Sequence, residues 1–245
     1  MYKEKIRHHF SRAVESYDKE ALTQKKAAQH LVHLLTQGLP KKPDTILDVG
    51  TGTGFVVKEL CSLFPHANYT LNDLSDAMLH KAQANLNLQL TLLGGDAEKM
   101  LFPKSPYDLI TSNLTLQWFT SLEQGIRHLF CQCKTLAFTT LLDNTFWQWR
   151  TAHDALKLPS GLHNYPSLSQ AQELCLALRP QQAIFDRQNY SLSFANPKQF
   201  VNHLKNLGAH TPHPSYTNSS LRHFLRVHQS PLEVNYDIFF AVLIK

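Results

Sequence analysis

The run Ile46-Leu47-Asp48-Val49-Gly50-Thr51-Gly52-Thr53-Gly54 constrains this chain more than any other stretch. An apolar strand pattern carrying an acid passes directly into three glycines at alternate positions, and helical spacing starts at Phe55. Glycine lets the backbone turn sharply out of a strand and lets a ligand lie against bare peptide. The helix that follows directs its free N–H groups at whatever occupies the turn. This strand–turn–helix calls for an α/β fold with a parallel sheet, and for a nucleotide-type cofactor at the carboxyl end of the first strand.

Two further acids sharpen that expectation. Asp73 lies about 20 residues past the loop, after Tyr69-Thr70-Leu71, where a doubly wound fold presents a carboxylate to ribose hydroxyls. The spacing Gly-x-Gly-x-Gly departs from the Gly-x-Gly-x-x-Gly of dinucleotide sites and fits one nucleoside with an amino-acid tail. Asp96, in Gly94-Gly95-Asp96-Ala97, closes the next strand pattern in reach of an adenine amino group. One such acid commonly caps a turn; three in order after three strands point to a cofactor.

Strand patterns near 45–49, 68–72, 88–93, 107–112 and 134–140 alternate with helical ones, which implies parallel strands joined through helices. The stretch to about Gln37 has helical apolar spacing and is stopped by Gly38-Leu39-Pro40. From Asp143 to about Arg187 the alternation breaks, as expected of an inserted lid or specificity element. Helix resumes over Pro197 to Leu207, ended by Gly208, and again at Ser219 to Val227, before a strongly β-forming run from Tyr236 to Ile244.

These motifs, continued by Asp73-Leu74-Ser75-Asp76-Ala77-Met78-Leu79 and Asp108-Leu109-Ile110-Thr111-Ser112-Asn113, resemble the class I S-adenosylmethionine-dependent methyltransferases. Four further stretches resemble the malonyl-acyl-carrier-protein O-methyltransferases of biotin synthesis. They are Phe10-Ser11-Arg12-Ala13 through Tyr17-Asp18, Ser112-Asn113-Leu114 through Gln117-Trp118, Ala137 to Leu141, and Leu204 to Ala209. The resemblance implies a single domain with a Rossmann-like seven-stranded sheet, its last strand entering antiparallel between its neighbours. It implies an N-terminal helical lid over 1–37 and an insert over 143–187 after strand five. The implied cofactor is S-adenosyl-L-methionine, and the implied partner is malonyl-loaded acyl carrier protein. A cytoplasmic monomer is the expected state. The link Cys131-Gln132-Cys133-Lys134 lacks the Pro-Gly-Gly turn common in relatives.

Composition sets limits on other classes. The net charge of +5 permits an acidic partner, but no Lys/Arg run exceeds two residues and no aromatic–basic ladder suits nucleic acid. No uncharged apolar run approaches membrane-spanning length, so no membrane partner is expected. The four cysteines lack a metal or redox spacing and read as reduced thiols. The fourteen histidines are scattered and read as surface residues, with no metal.

A carboxylate is ionised at neutral pH and a sulfonium methyl is already activated, so the implied reaction needs positioning rather than a general base. No acid–base residue is therefore nominated; Tyr17 and Asn113 stand nearest the chemistry. The cofactor set is Asp48, Gly50, Thr51, Gly52, Gly54, Asp73, Leu74, Asp96, Ala97 and Asn113, with Gln24 nearby. The substrate set is Tyr17, Arg12, Trp118, Arg150 and Tyr165. Relatives carry an Asn-Arg pair in the insert; here the chain reads His163-Asn164-Tyr165, leaving Arg150 and Lys157 as the nearest cations. Competing readings are another small carboxylic acid, a quinone-type carbon using His153 or His163 as base, and a non-catalytic cofactor-binding assembly factor.

Overall fold

The computed structural model describes residues 2–213 and 216–245. Its centre is β1 (Thr45–Val49), four of whose five residues are buried because helices cover both faces. Beside it lie β2 (Asn68–Asp73), β3 (Thr91–Gly94), β4 (Tyr107–Ser112) and β5 (Cys133–Leu141), all parallel. Then come β6 (Gln182–Phe194) and β7 (Leu232–Ile244), in the order β3-β2-β1-β4-β5-β7-β6. As expected, β7 runs antiparallel between its neighbours. The strand order reverses between β1 and β4, and such a switch point opens a crevice at the carboxyl ends of the strands.

Alternation along the strands builds two cores. Ile46, Leu71 and Phe240 pack with Leu31, Leu35 and Leu60 on one face; Leu47, Ile110 and Phe239 pack with Leu129 and Phe138 on the other. The helices are α1 (Tyr2–Glu20), α2 (Leu22–Gly38), α3 (Phe55–Leu63), α4 (Asp76–Leu86), α5 (Leu122–Cys131), α6 (Trp147–Ala155), α7 (Leu168–Leu176), α8 (Pro197–Asn206) and α9 (Asn218–Val227). Side chains of Ser75, Ser121, Asn196 and Thr217 cap α4, α5, α8 and α9, each accepting from a backbone N–H that would otherwise be unpaired.

Four expectations change. The N-terminal helical stretch is two helices broken at Ala21, and only α1 acts as a cover; α2 buries Ala27, Ala28, Leu31 and Leu35 and belongs to the sheet-covering layer. The third strand starts at Thr91 rather than 88, because Asn87 ends α4 in the left-handed conformation and Leu88 is exposed. The segment 143–187 is not wholly an insert: its last six residues open β6, a strand that the sequence reading missed altogether. β4 and β5 are joined through α5, and Gln132 alone separates α5 from β5. The buried Gln132 Oε1 accepts from the Phe102 N–H at 2.9 Å and the Ser105 hydroxyl at 3.1 Å, and so secures a link without glycine. The histidines are not all superficial either, since His153 and His203 are buried.

Candidate active site

Gly50 leaves β1 with φ +64°, and a Cβ there would overlap the side chain of Thr115, whose hydroxyl donates to the Gly50 carbonyl at 3.2 Å. The loop after β1 is thereby pressed against the loop after β4. Gly52, at φ +56°, lies under the Tyr17 ring instead, whose hydroxyl is 3.7 Å from where a Cβ would stand. Its N–H donates to Asp73 Oδ2 at 2.9 Å, while the Ser75 N–H donates to Asp73 Oδ1 at 2.8 Å. Each carboxylate oxygen keeps acceptor capacity for a ligand diol. Burial pushes the Asp73 carboxyl up to about 6 against the pull of these N–H groups.

Asp48 is only 2% exposed and lies beneath the loop rather than on the cleft wall. Burial raises it to about 7, opposed by the Thr111 hydroxyl, which donates to Oδ1 at 2.7 Å, and reinforced by the charge of Asp73. Thr51 and Gly54 do not wall the cleft either; the buried Thr51 hydroxyl faces Asp48 and helps to lower its carboxyl, and Gly54 precedes α3.

Two cavities meet above this loop. The first, about 80 Å³, is walled by Gly50, Gly52, Asp73, Leu74, Asp96 and Ala97. The second, about 260 Å³, is largely apolar and includes Leu141, Phe146, Trp149, Tyr165, Phe200 and Tyr236. Phe10, Tyr17, Leu114 and Trp118 line both, so the two open into each other between α1 and the loop after β4. With α1 seated, the first cavity is smaller than the roughly 300 Å³ at which small-molecule pockets begin. Residues Lys3, Ile6, Phe10 and Tyr17 of α1 roof this cavity. Lys3 latches α1 down by pairing with Asp96 at 3.3 Å and with Glu98, and the hydroxyls of Ser11 and Ser75 meet at 2.8 Å. Asp96 is thus answered by a lysine of α1.

Other residues fall differently from the sequence reading. Asn113 lines the first cavity, but its Nδ2 donates to the Gln24 carbonyl at 2.9 Å and its Oδ1 accepts from Thr139 at 2.9 Å. Its amide ties α2 to the sheet, which leaves one N–H and one lone pair for a ligand. Gln24 lines the second cavity rather than the first, with Oε1 buried and unpaired. Arg12 is exposed and lines a separate groove between α1 and α8. Arg150 is half-buried on α6 near Tyr165, and walls neither cavity. Tyr17 and Tyr165 reach the second cavity, and burial raises both phenols, so they stay protonated donors. Neither hydroxyl has a hydrogen-bond partner among the described residues.

His153 and His163 are both engaged in hydrogen bonds. His153 is buried against Phe224 at 3.7 Å between ring centres, and burial lowers it to about 4. His163 reaches the second cavity, but its Nε2 is bound to the Thr211 carbonyl at 2.8 Å. Among the described residues no three His, Cys, Asp or Glu side chains group as a metal site.

Sequence reasoning passed over Leu114 and Tyr236. Leu114 has φ +48°, a conformation no local motif announces. Tyr236 shares a face with Ile238 and Phe240, a period-two signal that shows burial but not the cavity beyond.

A methyltransferase-domain family model matches residues 46–135. The malonyl-[acyl-carrier protein] O-methyltransferase of Neorickettsia risticii is 32% identical over 236 residues, covering 96% of this chain and 93% of that protein. The chain belongs to the malonyl-[acyl-carrier protein] O-methyltransferase family. A bifunctional biotin-biosynthesis protein of Bordetella avium is 33% identical over 224 residues, 89% of this chain and 47% of that larger protein. Among solved structures, a methyltransferase of Bacillus halodurans shares the fold with a TM-score of 0.61 at 15% identity, covering 89% of this chain and 99% of that one. The plantazolicin methyltransferase BpumL, solved with S-adenosylhomocysteine, does so at TM-score 0.58 and 18% identity, covering 100% and 96%.

The donor set of this methyltransferase fits S-adenosylmethionine. A bare-backbone cradle at Gly52, a half-buried carboxylate at Asp73 with spare acceptor capacity and an apolar side chain at Leu74 match an amino-acid tail, a ribose and an adenine in that order. Asp73→Ala is expected to weaken S-adenosylhomocysteine binding by roughly 1.5–3 kcal/mol, the range for hydrogen bonds to a charged acceptor. Calorimetric titration checks this; unchanged affinity would remove Asp73 from the site.

Proposed function

We propose that this methyltransferase uses S-adenosylmethionine to methylate the free carboxylate of a malonyl thioester on acyl carrier protein, giving the methyl ester from which a pimeloyl chain for biotin is built. The observation that carries the reading is the opening of a cofactor-type cleft into a larger apolar cavity at Phe10, Tyr17, Leu114 and Trp118. Names of the relatives from Neorickettsia risticii and Bordetella avium support the acceptor and the pathway.

When bound, S-adenosylmethionine supplies an activated methyl group on sulfonium. The chain's own work is to bind, orient and keep water out. Gly50 and Gly52 set the depth of the cleft, Asp73 fixes a ribose, and Asp48 contributes a negative charge under the loop. Tyr17 stands at the junction, and Tyr165 and the side chain of Gln24 lie further into the second cavity beside Tyr236. Neutral phenols are suited to a carboxylate: they donate hydrogen bonds without cancelling the nucleophile's charge as an arginine does. By the resemblance, Tyr165 falls where relatives carry an arginine in the insert. Positioning of this kind lowers a barrier by about 7–11 kcal/mol in favourable cases. The apolar walls strip water from the nucleophile.

Radiolabelled methyl transfer, tested side by side on malonyl-carrier protein, malonyl-coenzyme A and free diacids, decides the acceptor. Carrier protein is expected to give the highest kcat/KM; free diacids matching it would defeat the carrier reading. Because no base is involved, the pH–rate profile should lack a basic limb near neutrality, and His163→Gln should keep turnover within a few-fold at saturation. Collapse of turnover with binding intact would favour a carbon acceptor.

A further inference from the structure

Between α1 and α8 runs a groove of about 350 Å³ that is distinct from both cavities. Its walls carry His8, His9 and Arg12 from α1, and Lys205 and His210 from α8 and the turn after it, with no acid among its lining residues. Its base is held by the Ser16 hydroxyl, which donates to the Asn206 carbonyl at 2.7 Å. Elsewhere on α1, Lys3 is answered by Asp96 and Glu98 and Arg7 by Glu4, while Lys5 and Lys19 have no acid partner among the described residues but lie outside the groove. In the groove neither Arg12 nor Lys205 has an acidic partner among the described residues.

The two histidines inside show the consequence. The rings of His9 and His210 stack at 3.9 Å, His9 Nδ1 meets the Thr211 hydroxyl at 2.8 Å, and His210 Nδ1 is buried without a partner. Both are disfavoured as cations, first by burial and then by nearby positive charge, from Lys5 and Arg12 at His9 and from Lys205 and Arg12 at His210. Unanswered positive charge of this density is relieved by an anion.

The groove's position says which anion. Lys205 and His210 also line the second cavity, so the groove begins where that cavity opens. An acyl group held at the Tyr17–Trp118 junction has its thioester arm leading out of the same cavity. The far end of such an arm is a phosphate ester, whether the arm hangs from a carrier protein or from coenzyme A. We propose that the α1–α8 groove binds the phosphate of the substrate's pantetheine arm, with Arg12 and Lys205 as its charged contacts. This rests on the malonyl-thioester reading given above. It also gives Arg12 a place on the substrate side, gripping the arm rather than the acyl group. A phosphate held by a guanidinium and an ammonium gains charge-assisted hydrogen bonds of the stronger kind.

The test compares malonyl-4′-phosphopantetheine with malonyl-pantetheine, which differ only in that phosphate. Wild-type protein should prefer the phosphorylated compound, and the double variant Arg12→Gln, Lys205→Gln should lose about tenfold of that preference in kcat/KM. Malonyl-carrier protein and malonyl-coenzyme A should both weaken in the variant, since both present the phosphate. A penalty confined to the carrier protein would mean the cations read its acidic surface, and would overturn the proposal. So would an unchanged preference. Binding is measured separately by NMR of protein labelled at histidine, titrated with 4′-phosphopantetheine and with pantetheine. The His9 and His210 resonances should move with the first and not with the second. If no malonyl thioester is methylated at all, the functional reading fails, while these shifts still decide the groove: their absence sinks it, and their presence sustains it.

Discussion

Asp48→Asn is expected to stabilise the free protein at pH 8 while weakening its hold on S-adenosylmethionine. Asp48 is buried at 2% exposure, and its carboxyl is raised to about 7 from an ordinary 3.8. A carboxyl whose folded value lies above its unfolded value holds its proton more tightly when folded. Stability therefore falls as pH rises from about 4 to about 7, and is flat above. The span bounds the cost at about 4 kcal/mol, with each unit worth 1.36 kcal/mol. Asparagine has the same shape and still accepts from Thr111 through its remaining oxygen. The variant should match wild type near pH 4 and exceed it increasingly up to pH 7, as measured by chemical denaturation at both ends. Binding should run the other way. Loss of the charge under the loop should cost at least about tenfold in affinity for the cofactor product, in the range of one charge-assisted contact. Wild-type affinity should itself fall below pH 7, as Asp48 takes up a proton. A variant that binds as tightly as wild type would make Asp48 a purely structural acid.

Gly208→Ala should release α1. Gly208 has φ +73°, which costs an L-residue roughly 1–2 kcal/mol. The added methyl would also stand 2.8 Å from Phe10 Cα and 3.0 Å from the His9 carbonyl. Those are backbone atoms of α1, and no side-chain rotation relieves them. Because α1 carries Phe10 and Tyr17, its displacement opens the wall common to both cavities. Hydrogen exchange over residues 2–20 should accelerate, and kcat/KM should fall more than tenfold, while exchange in β1, β4 and β7 stays slow. Unchanged exchange in α1 would show that it docks by its other contacts, chiefly Glu20 to His203 at 2.7 Å and Ser16 to Asn206. Loss of protection across the sheet would instead mean that Gly208 supports the whole fold.

Much of the cofactor side was legible before any coordinates, because its signals are local. The β1 strand, the glycine turn and the acids at 73 and 96 each follow from a few adjacent residues. The parallel sheet followed from strands separated by helix-length crossovers. β6 was not legible. Its centre reads Phe185-Asp186-Arg187-Gln188-Asn189, polar enough to pass for loop, and it becomes a strand by pairing with β7 from Gln182 to Phe194. Likewise Asn113 read as a ligand because it follows β4; only the packed structure shows that its amide also ties Gln24 and Thr139 together.

The sequence by itself determined the α/β alternation, the cofactor loop and the acids after the first three strands, since backbone freedom and strand-end position are properties of neighbouring residues. Only the tertiary structure decided where Tyr17, Leu114, Trp118 and Tyr236 meet, which cations stay unanswered, and that Gly208 seats α1. Those facts join elements separated along the chain, and they arise from close packing and from burial of charge. No local pattern encodes either, because both depend on what the rest of the chain brings alongside.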